Sequence, residues 1–334
     1  MPGNSAAGSC GGQPGLLTML SRRNFLWLSA AGAVAAPRLT PKERVDRTLR
    51  GQDVDRTPFS FWHHFGLQKF PGQRHAQATL EFHRKFHTDL VKVMSDYPYP
   101  KPAGAWYQLK VLDNPFPEQL RALELIRDGL GGRAYFVETI FAPWTVAENL
   151  SSKQDVLQLK AEKPSVLLEA LEAIAESEAN HAKKCVATGA AGIFLAIANA
   201  QDGILSREEY AKFSEPFDRM ILQAVSEAPL NTLHLHGEKV YLDRFVKGWP
   251  ASIINYSPYA TRVGFSEIRK RYEGTLMGGL DERNYRQSTE SDLRQQWEAA
   301  RHAAGKRFIL APGCSVPNES TDGELMRLVK VLGA

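Results

Sequence analysis

Asn231 to Val240 reads NTLHLHGEKV. Two histidines, His234 and His236, sit one residue apart in an apolar run that ends at Gly237. A strand turns every second side chain to the same face, so both imidazoles point the same way at its carboxyl end. The question is what they face, and the answer depends on the fold around them.

Seven further short apolar runs accompany this one. They are Pro58–Phe65, Asp89–Tyr97, Ala134–Pro143, Ala191–Asn199, Ser252–Pro258, Gly274–Asp281 and Arg307–Val316. Amphipathic helical patterns lie between them, among them SVLLEALEAIAESEANHAKKCV and TESDLRQQWEAARHAAG. Ser206 and Thr289 read as N-caps, and Glu209 stands where a capping box needs it. Eight strands alternating with helices predict an α/β fold, a single-domain (β/α)8 TIM barrel over residues 40–334. An open doubly wound sheet is the competing topology, but no G-x-G-x-x-G opens the first strand-to-helix turn. No internal repeat or linker divides the body. Pro98, Pro100 and Pro102 form a stiff loop assigned to the barrel mouth.

The composition, 43% hydrophobic and 23% charged, is that of a globular protein. The net charge of +4 comes without a basic run or Arg-rich stripe, which argues against nucleic acid as a partner. No apolar run reaches the ~20 residues of a membrane span.

Residues 1–36 read differently. The first 18 are small, polar and Gly-rich, a disordered composition. Met19 is a natural start for an export signal, and the expectation is that residues 1–18 are an over-extended gene start. Ser21-Arg22-Arg23-Asn24-Phe25-Leu26 matches the twin-arginine export pattern. An apolar stretch from Phe25 to Ala36 follows, and Ala33-Val34-Ala35 offers a cleavage site. The expectation is a periplasmic or other extracytoplasmic protein. Because that route carries folded proteins, it implies a metal or cofactor loaded in the cytoplasm. Of the three cysteines, Cys10 lies in this segment. Cys185 falls in a helical pattern and reads as structural, and a chain of this size needs no disulfide.

In such barrels chemistry gathers at the carboxyl ends of the strands. His63 and His64 end the first run, Asp96 the second, His234 and His236 the fifth, and Asp281 the seventh; Cys314 closes the eighth. His-x-His with a distant cysteine is a zinc set of three protein ligands, leaving one position for water or substrate. His234, His236 and Cys314 are therefore the candidate metal ligands. Asp281, Asp96 and one of His63 or His64 are candidates for a further ligand. Only one of His63 and His64 can face the mouth of a regular strand. Hydrogen-bonded core histidines and a loop carboxylate are the plain readings of the same residues.

From about Thr40 onward the chain resembles the uroporphyrinogen decarboxylase superfamily, including its zinc methyltransferases. TPKERVDRTLRGQDVDRTPFSFW, DLVKVMSD, FAPWTVAENL, GIFLAIANAQDGILSREEYAKFSEP, GTLMGGLD and FILAPGCSVP carry the resemblance. It implies a (β/α)8 barrel. The decarboxylase branch implies carboxylate-binding arginines after the first strand, where FWHHFGLQ has none. Asn149 stands nearest to that branch's tyrosine, Ala196–Ala198 to its serine, and Cys314 occupies the region of its late histidine. Asp96 alone matches, at the catalytic aspartate. The methyltransferase branch implies His-x-Cys on the fifth strand and a second Cys on the eighth; here His234, His236 and Cys314 take those places.

The leading expectation is an exported zinc enzyme transferring methyl to a thiol or similar acceptor. The acceptor is a small molecule, the methyl donor is a corrinoid or corrinoid protein, and Asp96 orients substrate or handles a proton. A histidine in place of one thiolate makes the metal more electrophilic, which leaves metal-assisted hydrolysis open. The alternatives are metal-free uroporphyrinogen decarboxylation in porphyrin synthesis and a non-enzymatic tetrapyrrole or corrinoid binder.

Overall fold

The computed structural model of the protein describes residues 38–333. The expected export signal lies outside the described residues. Seven strands form one parallel sheet in chain order: β1 (Leu90–Val93), β2 (Tyr135–Phe141), β3 (Ile193–Ile197), β4 (Thr232–Leu235), β5 (Ile253–Tyr256), β6 (Thr275–Leu280) and β7 (Phe308–Pro312). Helices fill every connection except that between β4 and β5, where a 3-10 turn at Leu242–Arg244 suffices. The result is an α/β fold with a TIM-like parallel sheet.

The expected first strand, Pro58–Phe65, is not a regular strand. It makes one parallel bridge, Phe59 to Leu310. Ser60 N–H donates to Leu310 O at 3.0 Å, and Leu310 N–H donates to Pro58 O at 2.9 Å. Towards β1, side chains replace the ladder. The Asp89 carboxylate accepts the Phe59 N–H at 3.0 Å, and the Ser60 hydroxyl donates to Leu90 O at 2.7 Å. Only Asp89 N–H to Phe59 O, 2.9 Å, is a backbone bond on that side. The extended segment is thus bonded to both edge strands while lacking the repeat that defines a strand. The carboxylate of Asp89 is fully buried and sits between two guanidinium groups, Arg44 and Arg56, each at 2.5 Å.

The core has two layers. An inner cluster draws Leu90, Val137, Phe194, Ile253, Met277 and Ile309 from six strands, with Trp62 and Met94. The alternate faces, with Leu195, Leu233 and Ile254, pack outward against helices. The long helix Pro164–Thr188 shows the reason: Leu167, Leu171, Ile174, Ala182 and Cys185 recur at helical spacing and are buried. Each buried Leu or Ile contributes about 1.5–3 kcal/mol. Proline opens this helix and Gly189, at φ 112°, ends it. Ser206 and Thr289 cap their helices, each accepting the N–H three residues on.

Candidate metal centre

His234 lies inside β4, between Ala196 of β3 and Asn255 of β5 in the ladder. Its ring stacks on Phe194 with centroids 5.0 Å apart. The side chain of Asn255 is fully buried and donates through its nitrogen to Met277 O and Pro312 O, both at 3.1 Å. Its oxygen therefore faces His234 as an acceptor, 2.6 Å from Nδ1. That bond puts the ring proton on Nδ1 and leaves the Nε2 lone pair free, the arrangement a metal-ligating histidine needs.

His236 follows the last residue of β4, and its N–H donates to Ile197 O at 2.9 Å. The next residue, Gly237, has φ 137°, a backbone that side-chain-bearing residues avoid. A Cβ there would lie 2.3 Å from the Gln201 amide. Gln201 uses that approach to donate to His236 O at 3.2 Å and to accept the Glu238 N–H at 3.2 Å. The His236 backbone is thereby pinned.

Cys314 stands two residues beyond β7. It is placed by Gly313, whose hypothetical Cβ would lie 2.2 Å from that of Ser257 after β5. Only glycine permits this approach. Gly313 N–H then donates to the Glu282 carboxylate at 3.1 Å, and the Ser257 hydroxyl donates to the same oxygen at 3.3 Å. Three chain segments are tied behind the thiol.

One nitrogen from each of His234 and His236 and the Cys314 sulfur all lie within 4.8 Å of one another. A tetrahedral zinc would hold such atoms about 3.3–3.8 Å apart, given its bond lengths, so small side-chain rotations close the set. Burial would raise the Cys314 thiol, but the two imidazoles beside it, His234 and His236, outweigh this and bring the thiol down to about 4. The reciprocal bond from Cys314 raises His236. The donor set therefore fits a soft, borderline cation such as zinc, with a thiol whose ionisation the neighbouring imidazoles favour.

His236, Cys314, Glu282, Ser257 and His64 line one cavity of about 430 Å³. Of the two adjacent histidines expected to compete for the mouth, His64 faces it. His63 instead bonds the His64 carbonyl through Nδ1 at 2.9 Å and packs on Phe65 and Phe82. The Nδ1 of His64 lies 2.6 Å from Asp96. Burial would raise the Asp96 carboxyl, but His64 holds it below its ordinary value. Asp96 and Asn149 line a second cavity, of about 240 Å³. Asp281 is apart from the metal set: it accepts the N–H groups of Arg283 and Asn284 and caps a turn. A larger cavity, about 620 Å³, lies at the amino ends of the strands and contains none of these residues.

Three residues escaped the sequence reading. Glu282, next to Asp281, is the acidic residue that actually faces the cavity; burial raises its carboxyl. Asn255 had a signal, a polar residue in the middle of an apolar strand. Lys92 likewise sits in an apolar strand with its Nζ over the rings of Phe194 and Trp62, at 4.9 and 5.2 Å, and burial pushes it down to about 8.

The sequence profile described as uroporphyrinogen decarboxylase (URO-D) matches residues 93–333. The chain belongs to the uroporphyrinogen decarboxylase family. This family assignment spans β2 to β7, including all three candidate ligands. A methyltransferase from Methanosarcina mazei has a similar fold, with a TM-score of 0.69 at 18% identity, covering 89% of this chain and 99% of that one. A Listeria monocytogenes protein described as a vitamin-B12-independent methionine synthase aligns at a TM-score of 0.53 and 10% identity, covering 84% and 95%. These likenesses concern the fold. No curated protein sequence matches the chain.

Proposed function

We propose that this member of the uroporphyrinogen decarboxylase family is a zinc enzyme of the methyl-transferring type, acting on a small acceptor such as a thiol. The observation that carries the reading is the convergence of His234, His236 and Cys314 within 4.8 Å at the carboxyl end of the sheet. Three protein ligands leave a fourth position for the acceptor, and zinc there would make a bound thiol nucleophilic near neutral pH. Asn255 fixes the tautomer of His234, and Gln201 and Glu282 hold the backbones that carry the other two ligands. His64, oriented by Asp96, presents its free ring nitrogen to the same cavity as a proton acceptor. The M. mazei fold neighbour supports a methyltransferase reading, with a methylated corrinoid or corrinoid protein as the proposed donor.

Decarboxylation of a tetrapyrrole bearing many carboxylates would call for several cationic partners. Among the described residues this cavity offers one arginine, Arg283, which is paired with Glu238 at 3.1 Å. We also read Pro58–Trp62 as occupying the eighth position of a closed barrel, and residues 19–36 as a twin-arginine signal. An intact Met1 or Met19 on secreted protein would refute the latter.

The test is elemental analysis of protein purified without a metal-affinity tag, followed by assay with a methylated corrinoid and small thiols. One zinc per chain, lost in Cys314→Ser and retained in Cys185→Ser, is the expected result. Absence of zinc under loading conditions would overturn the reading.

A further inference from the structure

The cavity of about 620 Å³ lies at the amino ends of the strands and shares no residue with the metal set at their carboxyl ends. Its apolar lining is made by Pro58, by Phe308, the first residue of β7, and by Leu332, all three buried, with the half-buried Trp297 beside them. The indole of Trp297 is held in place, because its N–H donates to the Thr57 hydroxyl at 3.1 Å. Most charged groups around this lining are paired. Asp55 accepts from Arg44 at 2.7 Å, Arg56 donates to Asp89 at 2.5 Å, and Lys306 lies 2.8 Å from Asp53. Arg301 and His302 line the same cavity, and neither has a carboxylate partner among the described residues. Both sit in the last turn of the helix Glu290–Ala304, where positive charge also suits the helix dipole. The dipole accounts for basic residues there, but not for the aromatic hollow that they border. Arg301 stands four residues after Trp297, so the two share a helix face with their Cβ atoms about 5–6 Å apart.

We propose that this cavity is a second ligand site, for a small organic anion: an aromatic ring carrying one acid group on a short arm. The ring lies against Trp297, Phe308 and Leu332, and the acid reaches Arg301, with the His302 ring beside it. Size admits such a molecule, since a cavity of about 150 Å³ already holds benzene. Burying one ring against this lining supplies the apolar part of the affinity. Charge selects the sign of the ligand. The two carboxylates at the rim are engaged by Arg44 and Lys306, whereas the Arg301 guanidinium keeps its fork of donors for a carboxylate or phosphate. An occupant here sits at the other end of the sheet from His234, His236 and Cys314, so it is not the reactant at the metal. The site therefore stands independently of the proposed metal function.

Binding is tested on full-length protein by calorimetry and ligand-observed NMR. The probe is 3-phenylpropionate, with 3-phenylpropionamide as its uncharged match and inorganic phosphate as an anion without a ring. The expected result is saturable binding of 3-phenylpropionate, with the amide and phosphate each weaker by about tenfold or more. Arg301→Gln, an exposed change that leaves the fold intact, should weaken the probe by about the same factor. Arg294→Gln, on the same helix but outside the cavity, should leave binding unchanged. Binding should persist in Cys314→Ser, which separates this site from the metal set whatever the zinc content proves to be. No binding of 3-phenylpropionate, equal binding of the amide, or wild-type affinity in a folded Arg301→Gln protein would overturn the proposal.

Discussion

Replacing Asn255 with leucine tests whether the ligand geometry is held from behind. Asn255→Leu keeps the branching and the number of heavy atoms but removes one acceptor and two donor bonds. His234 Nδ1 loses its partner, and the carbonyls of Met277 and Pro312 lose theirs. With no partner on Nδ1 the imidazole is free to carry its proton on Nε2, the atom that must face the metal. Losing such a supporting bond lowers metal affinity about 10–100-fold. That is about 1.4–2.8 kcal/mol. The orphaned groups add a separate cost of about 1–3 kcal/mol each to the folded state, in metal-free and loaded protein alike. The two effects are separable. Zinc affinity is read by competition with a chromophoric chelator at low temperature, and folding by urea denaturation of metal-free protein. The expectation is a folded, less stable protein with weakened zinc binding. A folded Asn255→Leu protein with wild-type zinc affinity would refute the claim that this amide orients His234.

Other outcomes follow from the same geometry. In metal-free protein the ultraviolet thiolate signal of Cys314 should persist as pH falls and disappear near 4, since its folded value is depressed to about 4. The associated stabilisation is therefore full above the ordinary thiol value near 9. It is lost as pH falls through about 4, so Cys314→Ser should cost more stability at neutral pH than at pH 4. Asp89→Ala leaves Arg56 without its carboxylate partner and Arg44 with Asp55 alone, and should cost about 3–5 kcal/mol in denaturant unfolding. A neutral effect would mean the network is not structural. Gly313→Ala drives a Cβ into Ser257 and should displace the loop bearing Cys314. Lowered zinc content with an intact far-ultraviolet spectrum is expected, and full zinc content would contradict the packing argument.

Much of this site could be read from the chain because its signals are local. Alternating residues put His234 and His236 on one face, and an apolar run placed Cys314 at a strand end. Seven of the expected strands are where hydrophobic runs placed them. The eighth, Pro58–Phe65, failed because apolar pattern alone does not reveal that Asp89 and Ser60 side chains take over ladder bonds. The sequence reading names Asp281 and passes over its neighbour Glu282; which of the two turns inward is decided by Gly313 and Ser257, which follow other strands. The pairing of His64 with Asp96 likewise joins separate segments, and no spacing rule encodes it.

The bridge between Phe59 and Leu310 ties the beginning of the described chain to its end. Contacts between such remote segments form late and slow folding, because the loop they close must be ordered first. Cys314 emerges from the ribosome after both histidines, and its position depends on Gly313 meeting Glu282 and Ser257. The three-donor centre therefore cannot exist before the segment bearing Cys314 has been made and packed. A zinc centre of the proposed kind would form only after that point, and a chain clipped shortly before Cys314 would carry both imidazoles yet lack the sulfur donor.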